Sequence, residues 1–165
     1  MANKIPTFNQ MYKMAPVEIQ KLLDQCAKTP QSEKWHPEGD VLKHTKIVYE
    51  RAKATGDLNI ALAAIFHDLG KVKTTKRNKH GSWAAHGHEF VSSRIVEEHK
   101  KWIGSIGGRF MMVKEIVKEH MRIKQMDRMR KPKQEALRNH RFFKELQEFT
   151  KCDDMKTLTE KEMKL

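Results

Sequence analysis

His67 and Asp68 stand side by side in the run Ala63-Ala-Ile-Phe-His-Asp-Leu-Gly-Lys71. Imidazole next to carboxylate is ligand chemistry for a transition metal. A lone His-Asp pair arises easily by chance in a chain with nine histidines, so its surroundings decide its weight. His44 precedes the pair, His86, His88 and His120 follow it, and Asp153 comes near the C-terminus.

The spacing around these residues is helical. Val41, His44 and Val48 recur at i, i+3, i+7, and Ile60, Ala64 and His67 at i, i+4, i+7. His88, Val91 and Ile95 repeat the first pattern. Phe110, Val113, Val117 and His120 share one stripe, and Phe142, Leu146, Phe149 and Asp153 share another. Such spacing puts each set on one helix face, and the apolar members turn that face inward. Asp153 alone continues the Phe142 stripe, which favours it over Asp154. A single inward His is ordinarily a hydrogen-bonded core residue. An inward Asp is harder to explain that way, because burying an unpaired charge is expensive. Four His and two Asp on converging faces are stabilised most simply by divalent cations.

The donor set also speaks to the ion. Imidazole suits Mn, Fe, Co, Ni and Zn better than Mg. Six ligands exceed the needs of one zinc and fit two ions, with Asp68 the natural bridge. Two ions about 4 Å apart can hold a hydroxide between them and clamp the oxygens of a phosphate during in-line attack. No Ser or Cys constellation suggests a protein nucleophile.

The elements that must carry these residues are helices. Alternating strand patterns are nearly absent, and stretches rich in Ala, Leu, Lys, Glu and Met dominate, so the expected class is all-α. The spacing predicts helices at about 8–28 (with Pro16 at an early turn or kink), 41–54, 58–68, 87–102, 109–121 and 133–152. Asp40 and Asp57 are the predicted N-caps of the second and third, and Gly70 is the predicted stop of the third. Residues 71–85 form a basic loop with room for a short hairpin, and 154–165 a short charged helix or frayed tail. His36, His80, His99 and His140 read as surface or loop residues. The methionines at 111, 112, 121, 126 and 129 read as core and gap filling.

At 165 residues with 38% hydrophobic content the chain is long enough for one domain with a real core. The expected division is a single domain over 1–165, with a core at 35–153, the 8–28 helix packed on it and a short C-terminal tail. Cys26 and Cys152 define neither a disulfide framework nor a thiolate metal motif. No signal core or membrane-length apolar run is present, so the expected location is the cytoplasm, with no membrane partner. The net charge is +12. It is concentrated in Arg122–Lys144, with nine Lys and Arg against Asp127 and Glu135, and in Lys71–Lys79. Such a surface attracts RNA, DNA or nucleotides, although a basic face is also common as plain solvated surface.

With these residues in view, the chain resembles the HD-domain metal-dependent phosphohydrolases. It is most similar to the HD domain attached to some CCA-adding tRNA nucleotidyltransferases. Sequences like His36-Pro-Glu-Gly-Asp-Val-Leu-Lys-His44-Thr precede the His-Asp-Leu-Gly-Lys run there, and a run like His86-Gly-His88-Glu89 follows. The likeness spans roughly residues 35–153. It implies a helical bundle with the metal site at its centre. It also implies that His44, His67, Asp68 and Asp153 hold one ion, that Asp68, His88 and His120 hold a second, and that Lys71 contacts the substrate phosphate. Two departures stand out. No nucleotidyltransferase domain precedes the run, so a freestanding unit is expected. Met121 follows His120, where some cyclic-dinucleotide relatives carry a further acidic residue or His, which weakens the case for cyclic-dinucleotide cleavage.

The expected activity is metal-dependent phosphoester hydrolysis of a nucleotide or RNA end, such as a 2′,3′-cyclic or 2′-phosphate. Asp68 and Lys71 would carry the catalysis. Arg94, Lys73 and His86 are candidates for meeting the remaining phosphate charge or the substrate, His86 being equally open as a ligand or a loop residue. Glu89 is open between orienting an imidazole and being a solvated helix-start acid. Trp83 is open between stacking on a base and packing its own loop. Two alternatives differ in class: a phosphatase of mononucleotides, and a non-catalytic nucleic-acid-binding module that keeps metals for structure.

Overall fold

The computed structural model describes residues 4–165 and is almost entirely helical. Its elements are α1 (Phe8–Met14), α2 (Val17–Cys26), α3 (Val41–Ala54), α4 (Leu58–Phe66), α5 (Lys71–Thr74), α6 (His88–Glu98), α7 (Lys100–Ser105), α8 (Phe110–Lys124), α9 (Lys131–Arg138), α10 (Phe143–Asp153) and α11 (Glu160–Met163). Between α5 and α6 lies a two-stranded antiparallel hairpin, β1 (Lys76–Arg77) and β2 (Trp83–Ala84), with Lys76 opposite Ala84. No helix among the described residues is long and apolar enough to cross a membrane.

The centre is α4. Every residue from Ile60 to Phe66 is buried. A helix that is apolar all round belongs in the middle of a bundle. It packs against α3 and α8, and α10 closes over both. α6 lies along α8 on the outer side. This arrangement places the end of α4, and so His67-Asp68, where four other helices can reach it. Each fully buried Leu, Ile or Phe in these interfaces contributes about 1.5–3 kcal/mol.

Local chemistry explains most boundaries. The Asp40 carboxylate accepts from the Lys43 backbone N–H at 2.9 Å, and Asp57 from Asn59 at 2.8 Å, so both predicted caps form. Three expected helices are interrupted. The 8–28 helix breaks between Met14 and Val17, because Pro16 disfavours helical geometry at Ala15. The 87–102 helix breaks at His99, whose φ and ψ are −115° and 22°. The 133–152 helix is two helices, α9 and α10, separated by Asn139–Phe142. The 109–121 helix instead runs on to Lys124.

Gly70 is a further correction. It does not stop a helix in a left-handed conformation. Its φ is −62°, and it opens α5. The reason for glycine there is space, since an added Cβ would lie 2.3 Å from the His88 carbonyl oxygen. Met111, predicted as core, is exposed. Both cysteines are free and buried.

Candidate metal centre

Each of the five central and outer helices delivers one or two polar side chains to a common point. α3 supplies His44 from its first turn, the end of α4 supplies His67 and Asp68, the first residue of α6 is His88, α8 supplies His120, and Asp153 is the last residue of α10. All six are buried, none more than 4% exposed.

The two oxygens of Asp68 face different partners. Oδ2 lies 3.2 Å from His67 Nε2 and 3.4 Å from His44 Nε2. Oδ1 lies 3.1 Å from His88 Nε2 and 3.7 Å from His120 Nε2. On the first side, Asp153 Oδ1 is 2.8 Å from His44 Nε2 and 3.5 Å from His67 Nε2. The cluster therefore divides into two halves that meet at one carboxylate. Ligand atoms of His44, His67 and Asp68 lie mutually within reach of a single ion, as do those of Asp68, His88 and His120.

The imidazoles are oriented from behind. His67 Nδ1 donates to the Ala64 carbonyl at 2.7 Å, His88 Nδ1 to Ala85 at 2.9 Å and His120 Nδ1 to Val117 at 2.6 Å. His44 Nδ1 donates to Glu38 Oε1 at 3.0 Å. These acceptors require the proton on Nδ1 and leave the Nε2 lone pair pointing into the cluster. Two pairs of Nε2 atoms then face each other, His44 with His67 at 3.3 Å and His88 with His120 at 3.2 Å. Lone pairs aimed at lone pairs and at carboxylates repel unless positive charge sits among them. The donor set thus fits divalent cations.

The electrostatics agree. Burial opposes charge on His67, yet the Asp68 and Asp153 carboxylates outweigh it and push its pKa up to about 9. At His120 burial prevails and pushes the pKa down to about 4. Burial likewise works to raise both carboxyls. His67 and Lys71 nevertheless hold Asp68 well below the usual carboxylate range, and Lys124 and His67 do so for Asp153.

Lys71 is buried at the rim, with Nζ 3.2 Å from Asp68 Oδ2 and 2.7 Å from Gln31 Oε1. His86 is exposed and lies outside the six-residue cluster, in the wall of a neighbouring cavity. Arg94 is exposed, and its charge acts on Glu97. Lys73 is exposed, and the structure brings neither it nor Arg94 into contact with the cluster. Glu89 Oε2 is 3.7 Å from His88 Nδ1. Trp83 is half-buried and carries the Arg77 guanidinium over its ring at 4.5 Å.

Two participants escaped the sequence reading. Glu38 sits in the loop before α3 with its side chain fully buried, and accepts from both His36 and His44. Burial works to raise its pKa, but those two bonds bring it down to about 2. His36, expected at the surface, is thereby partly buried. Lys124, near the end of α8, reaches its ammonium to Asp153 Oδ2. A signal for Lys124 exists, since it lies four residues after His120 on the same face. Glu38 belongs to no periodic element and offers no such signal. His99 and His140 are also partly buried, bonded to Ile95 and Glu115.

The HD domain family profile matches residues 41–156, which contain all six cluster residues. Among curated relatives, a Multifunctional CCA protein of Herminiimonas arsenicoxydans is 42% identical over 46% of this chain and 18% of its own length. One from Shewanella denitrificans is 45% identical over 36% of this chain and 14% of its own length. The matched region is less than a fifth of either relative. No solved structure gives a significant match.

Proposed function

The chain belongs to the HD domain family, a superfamily of metal-dependent phosphohydrolases, and from this premise we propose that it hydrolyses phosphoesters of nucleotides or RNA ends. The observation that carries the reading is Asp68, whose two oxygens face two separate His pairs at 3.1–3.7 Å. His44, His67, Asp68 and Asp153 would hold one divalent ion. Asp68, His88 and His120 would hold a second. When bound, such ions supply Lewis-acid activation of water and of the phosphoryl oxygens.

The chain's own residues set the geometry for that reaction. The carbonyls of Ala64, Ala85 and Val117, together with Glu38, orient the imidazole rings with Nε2 towards the cluster before substrate arrives. The Lys71 ammonium, steadied by Gln31, stands beside Asp68 where it can neutralise a non-bridging phosphate oxygen. The attacking water forms a bond to phosphorus and gives up a proton to solvent, the ester P–O bond breaks, and the departing oxygen takes up a proton in turn. The likeness to Multifunctional CCA proteins and the net charge of +12 support an RNA-end substrate, in which flanking phosphates meet Lys and Arg.

The test is hydrolysis of an RNA oligonucleotide ending in a 2′,3′-cyclic phosphate. Mn²⁺, Ni²⁺ or Co²⁺ is added, and wild type is compared with Asp68→Ala. Turnover by wild type alone is the expected result. No turnover by wild type protein that carries metal removes the RNA-end substrate and turns the search to mononucleotides.

A further inference from the structure

His88 lines a cavity of about 510 Å³, together with His86, Phe90, Glu119, Met121, Arg122 and Gln125. That volume falls in the ~300–1,000 Å³ range of small-molecule sites. Its position is informative, because His88 belongs both to this lining and to the cluster. A phosphoester lying at the cluster has this cavity beside it, on the His88 side.

The lining describes the group that fits there. Phe90 is 52% exposed, a large aromatic face left open on the first turn of α6. Gly87, whose φ of 78° makes the left-handed turn into the helix, sets where that first turn begins. Met121 adds a polarisable apolar surface on α8. Formal charges in the lining cancel, Lys118 and Arg122 against Glu89 and Glu119, with Arg122 Nη1 3.5 Å from Glu119 Oε2. A second phosphate would find no net attraction there. A flat neutral heterocycle would find an aromatic face to stack on, and Gln125, His86 and the two carboxylates to pair with its donor and acceptor edge.

We infer that this cavity is a nucleobase subsite, holding the base of the nucleotide whose phosphoester lies at the cluster, stacked on Phe90. This rests on the phosphohydrolase reading above and assigns the base of its substrate to a named place beside the cluster.

The test compares a nucleoside 2′,3′-cyclic monophosphate with glycerol 1,2-cyclic phosphate, which has a similar strained ring and no base. Wild type favours the nucleotide in kcat/KM. Phe90→Ala, a change at an exposed position, cuts that preference about tenfold or more, chiefly through KM for the nucleotide, and Phe90→Trp retains it. An unchanged preference in Phe90→Ala overturns the subsite. If wild type hydrolyses neither ester, 2′,3′-cyclic phosphates drop out as substrates of the phosphohydrolase reading, and that result leaves the subsite unjudged. The subsite is then judged by adding adenosine or uridine to metal-loaded protein and following amide chemical shifts. Saturable shifts confined to residues 86–90 and 118–125 in wild type, lost in Phe90→Ala, support it, and their absence overturns it.

Discussion

Glu38 gives the His44 imidazole its orientation. Its Oε1 accepts from both neighbouring rings, and its Oε2 is buried without a hydrogen-bond partner among the described residues. Such a carboxylate is costly to keep unless it does something for its neighbours. Removing it with Glu38→Ala frees His44 to rotate or change tautomer. The expected outcome is a 10–100-fold loss of Co²⁺ or Ni²⁺ affinity by calorimetry, with Glu38→Gln recovering part of it through its remaining acceptor oxygen. Melting the metal-free variants separates this effect from a general loss of fold. Lys71 presents the opposite case. Its ammonium contacts one oxygen of Asp68, and on the proposed function it also meets the substrate phosphate, so Lys71→Ala should lower kcat about 100-fold while metal content measured by mass spectrometry falls far less.

Among the elements, the turn between α4 and α5 sets the register of the whole site. Gly70 N–H donates to Ser92 Oγ at 2.8 Å, tying the residues just after His67-Asp68 to the helix that begins with His88. A Cβ at this position would press on the His88 carbonyl at 2.3 Å and on Ser92 N at 3.0 Å, both backbone atoms. Gly70→Ala should therefore destabilise the protein by about 1–3 kcal/mol in thermal or urea melts. It should also weaken metal binding, since it moves His88 relative to Asp68. At the other end of α3, Arg51 makes a two-pronged contact with Glu162 of α11, at 2.5 and 2.9 Å, and also donates to the Cys152 carbonyl. The Arg51 hydrogen bond brings the Glu162 pKa down to about 2 from 4.5. A depressed folded-state pKa contributes stability that is fully present above pH 4.5 and is lost as pH falls from 4.5 towards 2. Arg51→Ala should cost about 1–2 kcal/mol at neutral pH. The difference from wild type should shrink across that acidic window, as read by melts at successive pH values.

At the scale of the whole molecule, positive charge follows the site along the chain. The basic stretch beginning at Arg122 starts in the wall of the cavity beside His88, passes Lys124 at Asp153, and continues through exposed Arg128, Arg130, Lys131 and Lys133. On the proposed function, an RNA end engaged by its terminal phosphate at the cluster would have these exposed cations available to its next phosphates. Binding of such an oligonucleotide should weaken with salt at a log–log slope of about −0.7 for each phosphate held. A Lys131→Glu/Lys133→Glu variant should flatten that slope in a fluorescence-anisotropy titration. A mononucleotide substrate should show little salt dependence in either protein. A steep slope untouched by the double variant would place the RNA on another face.

The helical class and the inward-facing His44, His67, His88, His120 and Asp153 were readable from spacing, and Asp68 from its place beside His67 at a helix end. A helix face is a local, periodic property, and an apolar stripe announces which side is buried. The capping aspartates 40 and 57 were readable for the same reason, each acting within three residues of itself. Interruptions at His99 and Asn139–Phe142 were not, because tertiary packing overrides propensity where a helix must bend to follow its neighbours. Nor could spacing show that Asp68 turns one oxygen to each His pair, or that Glu38 stands behind His44. It was equally silent on Gly70 as the point where two segments nearly touch. Those facts join residues as far apart as His44 and Asp153, and they depend on how five helix axes cross rather than on the period within any one of them.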